Sequence, residues 1–82
     1  MTLDDAVAAL SRPPLKVFIF DREAVHGGVP GGGVLSSPYF VIAPEGGAWV
    51  ANFNHATEER FATLADAVAH VRELLAKALG PH

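Results

Sequence analysis

This chain predicts an α+β domain: a three-stranded, mostly antiparallel sheet in the order α-β-β-β-α, with a long C-terminal helix packed on one sheet face. Three observations carry that expectation. Tyr39 to Ala43 and Ala48 to Phe53 are β-patterned runs flanking Pro44-Glu45-Gly46-Gly47. Proline suits the first central position of a turn and glycine accepts a positive φ, so the two runs read as an antiparallel hairpin. Leu15 to Phe20 (Leu-Lys-Val-Phe-Ile-Phe) is rich in β-branched and aromatic residues and reads as a further strand. From Phe61 onward, Leu64, Val68, Val71, Leu75 and Ala78 recur at spacings of 3 and 4, which is the period of a helix with one apolar stripe.

The elements follow in order from these signals. Thr2-Leu3-Asp4-Asp5 has the hydroxyl-x-x-acid spacing of a helix start, and Leu3, Val7 and Leu10 then fall on one side of a short helix. Pro13-Pro14 stops it, because proline has no N–H to donate and pushes its predecessor out of helical geometry. The Leu15–Phe20 strand is apolar on both faces, with Leu15, Val17 and Ile19 on one and Phe18 and Phe20 on the other, as expected of a strand covered on both sides at one end. Residues 21 to 37 include His26-Gly27-Gly28-Val29-Pro30-Gly31-Gly32-Gly33 and read as a flexible glycine-rich loop. Asn52, Asn54 and His55 end the last strand pattern. The C-terminal helix is capped at Thr63-Leu64-Ala65-Asp66, or begins as early as Thr57 with Glu58 and Glu59 at its positive end; Glu73 and Lys77 form an i,i+4 pair, and Gly80-Pro81 closes it.

Size and composition bound what such a chain can be. Its 82 residues make one domain with a small core, the kind that disulfides, a metal or a partner subunit commonly reinforce. There is no cysteine, which removes disulfides and thiolate sites and makes a homodimer the natural source of further burial. A net charge of −3 leaves no electrostatic footprint for phosphate backbones, so nucleic acid is not the expected partner. The N-terminal residues carry Asp4 and Asp5 instead of a basic stretch, and no apolar run approaches the ~20 residues that cross a bilayer. A cytoplasmic location without membrane contact is the expectation.

Candidate chemistry is sparse. The glycine run lacks the Gly-Lys-Ser/Thr ending of a phosphate loop, and Gly31-x-Gly33 leads into a strand where a dinucleotide motif requires a helix. Histidines at 26, 55, 70 and 82 have no metal-ligand spacing. His55 with Glu59, and Asp66 with His70, stand one helical turn apart and would form solvated pairs on a helix surface. Ser36 and Ser37 precede Pro38 with nothing resembling a nucleophile elbow. No catalytic residue, cofactor site or metal site is assigned, and the chain reads as non-enzymatic.

The strands carry the stronger signal. Under an assumed register, Phe18, Phe20, Tyr39, Val41, Trp49 and Phe53 share one face, and Val17, Ile19, Phe40, Ile42 and Val50 the other. Two helices give limited cover to two apolar faces. Phe18, Phe20, Tyr39 and Trp49 are therefore the candidate contact residues, with Gly31 and Gly32 at an adaptable edge. The expected function is a small interaction protein, an accessory factor or inhibitor of phage or mobile-element type, that binds another protein. Two alternatives stand beside it: a nucleic-acid-binding regulator that stacks bases on the aromatic face, and a ligand-binding protein or enzyme with a pocket beneath the glycine-rich loop. The order helix-strand-strand-strand-helix is similar to that of double-stranded RNA-binding domains. That family opens its last helix with a lysine cluster, whereas this chain has Thr63-Leu64-Ala65-Asp66 there and lysines only at 16 and 77, so no binding residue carries over.

Overall fold

Four tight reversals fold the chain between Lys16 and Phe61 into five antiparallel strands that follow one another across a single sheet. The computed structural model describes residues 1–80. The helix α1 (Leu3–Leu10) comes first, then β1 (Lys16–Phe20), β2 (Ala24–Gly31), β3 (Val34–Glu45), β4 (Ala48–Phe53) and β5 (Thr57–Phe61), and last α2 (Leu64–Leu79). The sheet order is β1-β2-β3-β4-β5 with every neighbouring pair antiparallel. The fold is α+β with one antiparallel sheet and a C-terminal helix, as expected, but the sheet has five strands and not three. Pro81, assigned to the helix stop, and the terminal His82 lie outside the described residues.

The two additional strands come from segments with weak β patterning. Residues 21 to 37, expected to form a flexible loop, instead supply β2 and the first part of β3, and the glycine run holds one hairpin turn. Gly31 pairs with Val34, leaving Gly32 and Gly33 at φ +59° and +80° as a two-residue reversal. Gly46 and Gly47 do the same between Glu45 and Ala48, at φ +58° and +80°. Both turns need positive φ at two successive residues, which glycine adopts at little cost. The second reversal therefore sits two residues later than the sequence reading placed it, and Pro44 lies within β3 opposite Trp49. Thr57–Phe61, read as an early helix start, is instead the edge strand β5, and α2 begins at Thr63, whose hydroxyl accepts from Asp66 N at 3.1 Å.

Prolines fall where the ladder does not need their missing donor. Pro30 lies beyond Gly28, the last residue of β2 with a β1 partner, and Pro44 lies beyond Ile42, the last residue of β3 in register with β2. Pro38 sits where the β2–β3 register shifts.

Both helices lie against the same face of the sheet. Val25, Phe40, Ile42, Ala51 and Phe53 point to it from β2, β3 and β4, and they meet Ala6 and Leu10 of α1 and Leu64, Ala67, Val68, Val71 and Leu75 of α2. The α2 stripe matches the sequence periodicity except that Ala67 replaces Ala78 among its buried members. Capping supports each helix: Thr2 Oγ1 accepts from Asp5 N at 3.1 Å while Asp5 Oδ2 accepts from Thr2 N at 3.0 Å. The guanidinium of Arg12 donates to Gly80 O at 2.9 Å, placing a cation at the negative end of α2 and tying it to the end of α1.

The tightest fit in the core is between β2 and β3. Gly27 is directly opposite Phe40, whose ring lies across it so closely that a β-carbon on Gly27 would overlap the ring. Phe40 is wholly buried. Gly27→Ala should therefore destabilise the protein by about 1–3 kcal/mol through overpacking. Gly31→Ala, where nothing lies within 4 Å of the new atom, should change stability by less than about 0.5 kcal/mol. Urea denaturation of the two variants beside the wild type measures both.

Candidate functional site

Strand pairing decides which side chains share a face, since opposed residues in an antiparallel ladder point the same way. Phe18 pairs with His26, Phe20 with Ala24 and His26 with Val41. Val41 in turn pairs with Asn52, and Asn52 with Glu58. These residues all lie on the face turned away from the helices, and Phe18, Phe20, Tyr39 and Val41 have no place in the helix-side core.

An aromatic row crosses this open face. The His26 ring is 4.8 Å from Phe20 and 5.8 Å from Phe18 between centroids, and 6.5 Å edge-on from Tyr39. Tyr39 in turn stacks on His55 at 4.7 Å with the planes 22° apart. Rings at these separations favour one another beyond the area they bury. Ala24 and Val50 are buried on this same side by their neighbours in the sheet, while Phe20 remains 55% exposed. The Lys16 ammonium stands 5.8 Å from the Phe18 ring at one border. At the other, Arg60 forms an ion pair with Glu45 at 3.1 Å.

Tyr39 is held by Asn54. The Asn54 side-chain oxygen accepts from Tyr39 N at 2.8 Å and from Ser37 Oγ at 2.9 Å, and Asn54 N donates to Tyr39 O at 2.6 Å. Asn54 and His55 occupy the left-handed region, at φ +55° and +58°, in the three-residue turn from β4 to β5. Asparagine tolerates that conformation better than most residues. The turn that positions His55 thus also clamps the irregular Ser37–Tyr39 stretch of β3, where the ladder with β2 loses register.

The assumed register placed Trp49 and Phe53 beside Tyr39, and the observed pairing moves both to the helix side. Trp49 is opposite Pro44 and Phe61 and packs half-buried against the core, while Val50 takes the open side. Of the candidate contact residues, Phe18, Phe20 and Tyr39 are brought together, Trp49 is not, and Gly31 and Gly32 form the exposed tip of the β2–β3 hairpin. His26 was missed: its β alternation with Ala24 and Gly28 is masked by the glycines that follow. The anticipated histidine–carboxylate pairs do not arise as drawn, because residues 55 to 59 are turn and strand, and His70 packs on the Phe61 ring at 5.0 Å. Beside the hairpin tip lies a shallow hollow of about 320 Å³ bordered by Phe18, Pro30, Leu35 and Lys16, with Lys16 as its one charged side chain. Among the described residues no three histidine, aspartate or glutamate side chains gather as metal ligands would, and no helix is long and apolar enough to cross a membrane.

Comparison with known proteins adds no constraint: no family model matches the chain, and no curated protein or solved structure matches it either.

Burial between the phenyl rings disfavours the charged imidazolium of His26 and lowers its pKa from the ordinary 6.5. On acidification the unfolded chain therefore takes up this proton before the folded one does. Stability is retained above pH 6.5 and declines as pH falls through the folded pKa. His26→Gln should flatten that decline between about pH 7.5 and about pH 5.5, as read by urea midpoints across the range. Asn54→Ala removes both accepted hydrogen bonds and strains the left-handed turn, and should cost about 1–3 kcal/mol in the same assay.

Proposed function

We propose that this protein is a small interaction protein that acts as an accessory factor or inhibitor by binding another protein through the open face of its sheet. The observation that carries this reading is that both helices pack on one face, leaving the row Phe18, Phe20, His26 and Tyr39, half-buried except for the exposed Phe20, without cover from either helix. Aromatic side chains with a polar tip or edge are the ones that concentrate at the centres of protein interfaces. Here they form a preassembled patch with an ion pair and a lysine at its borders, the arrangement of an apolar centre within a charged rim.

Charge favours a protein surface over a nucleic acid. Phosphate backbones are held by several cations acting together. Lys16 stands alone at one border of the face, and Arg60 at the other is already engaged by Glu45. Glu58 also lies on this side, opposite Asn52. The aromatic face has the rings to stack bases but lacks the field to draw in the backbone.

The test uses affinity capture from the source cells with three baits: wild type, Phe20→Asp and Arg72→Glu, the last an exposed position on α2. A protein retained by wild type and Arg72→Glu but lost by Phe20→Asp is the expected result. Its interface residues should then map to Phe18, Phe20, His26 and Tyr39 by amide exchange in the purified complex. No such protein, or one held equally by Phe20→Asp, rejects the reading. Retention of the wild type on single-stranded or duplex nucleic acid at low salt would replace it with base stacking.

A further inference from the structure

The two edges of the sheet are unlike, and the difference bears on what they meet. A meander in the order β1-β2-β3-β4-β5 leaves β1 and β5 each with one neighbour and a row of backbone donors and acceptors open to another strand. The β5 edge has the usual protection. Its sequence Thr57-Glu58-Glu59-Arg60-Phe61 places charges on both faces of the strand, where a pairing strand would have to desolvate them. The β1 edge reads Lys16-Val17-Phe18-Ile19-Phe20, with one charge, no proline and an unbroken register from Lys16 to Phe20. α1 rests against the helix-side face of β1 and β2.

We infer that β1 pairs antiparallel with β1 of a second copy of this chain, with Phe18 on the two-fold axis, so that the two sheets become one. Charge selects this direction. Lys16 stands at one end of the strand, and the turn Asp21-Arg22-Glu23, net negative, stands at the other. Antiparallel pairing brings each lysine toward the acidic turn of the other copy, whereas parallel pairing would set lysine beside lysine. Side-chain direction selects the register. Opposed residues share a face, so a two-fold pairing must centre on a residue, and only centring on Phe18 engages all five positions. Val17 then meets Ile19 of the second copy beneath the helices, extending both cores. Lys16 meets Phe20 of the second copy on the open face, and the two aromatic rows become one patch. This inference concerns the edge and does not depend on which protein lies on the face.

The experiment compares substitutions of opposite sign at one exposed position. In the inferred register Phe20→Lys faces Lys16 of the second copy at both ends of the junction, and Phe20→Asp faces it with an attracting charge. Sedimentation equilibrium of the full chain should give a wild-type particle of twice 8.6 kDa. The dissociation constant of Phe20→Lys should be about tenfold above that of Phe20→Asp, with circular dichroism confirming that both are folded. Because the chain has no cysteine, Phe18→Cys supplies a single thiol next to its own copy across the axis. Mild oxidation should link it into dimers, while Glu58→Cys on β5 should stay unlinked. A wild-type monomer at micromolar concentration overturns the inference. So does equal affinity of the two Phe20 variants, or a dimer in which Glu58→Cys links as readily as Phe18→Cys. Loss of partner capture by a Phe20→Asp variant that remains dimeric separates the edge from the face: it supports both readings independently, whereas a monomeric wild type that still captures its partner overturns only the edge.

Discussion

The contact between Gly27 and Phe40 is the constraint on which the rest of the arrangement depends. A strand interior ordinarily excludes glycine, because the chain loses freedom there without gaining a side chain to pack. Here the absent β-carbon is what lets the Phe40 ring lie flat across β2 and fill the centre of the core with no exposed surface. The large ring over a bare strand fills the middle of the helix-side core, and Val25, Ile42, Ala51 and Phe53 take their places around it. The small Ala6 and Ala67, both fully buried, let the helices approach. Everything apolar that the helices can cover is concentrated on one side.

The open face follows from that concentration. Eighty-two residues provide two helices, and the core under Phe40 uses both. The outer side is left to protect itself laterally, and it does so with rings: His26 lies against both Phe18 and Phe20, and Tyr39 has its backbone held by Asn54 and its ring stacked on His55. Gly28 contributes here much as Gly27 does on the other side, since a β-carbon would stand 2.9 Å from Leu35 Cβ and 3.2 Å from the Tyr39 ring. Consecutive glycines thus admit an aromatic ring on each face of the same strand. What resembles a loosely specified run in the sequence is a place where two close approaches coincide.

That coincidence explains what was legible beforehand. Helix α2, its Thr63 cap and the β3–β4 hairpin were readable because their signals are local: a 3.6-residue period, a hydroxyl at the right spacing, and turn residues between two β-patterned runs. β2 was not, because its glycines answer to Phe40, Leu35 and Tyr39, residues distant in sequence, and glycine taken locally signals a loop. β5 was hidden for a different reason. An edge strand guarded by Glu58, Glu59 and Arg60 has the composition of a helix N-terminus, and only the pairing with β4 separates the two. Phe18 and Phe20 were recognised as one face, since alternation within a strand is a local property, while Tyr39 on β3 joined them only through the assumed register. Trp49 was misplaced because register between strands is not local. A two-residue turn at Gly46-Gly47 pairs odd-numbered residues of one strand with even-numbered residues of the other, so Trp49 opposes Pro44 and shares the helix side with Phe40 and Ile42, where the assumed register had paired odd with odd.

The same physics separates the chain's two kinds of exposed apolar surface. Met1 and Val34 are exposed singly, at the chain start and on the hairpin arm, as surface hydrophobics commonly are. Phe20 is exposed as the end member of a row whose other rings, Phe18, His26 and Tyr39, are half-buried and touch one another along the face. An ordered row costs side-chain freedom when the chain folds, and the cost is already met before anything binds. A surface prepared in that way loses little further entropy on association, so even a patch of modest area retains much of the free energy its burial releases. The polar edge of His26 sits in the middle of that patch with its charge disfavoured by the rings around it. Contact with an apolar partner would deepen the same burial, favour the neutral imidazole further and make association weaken with acidification.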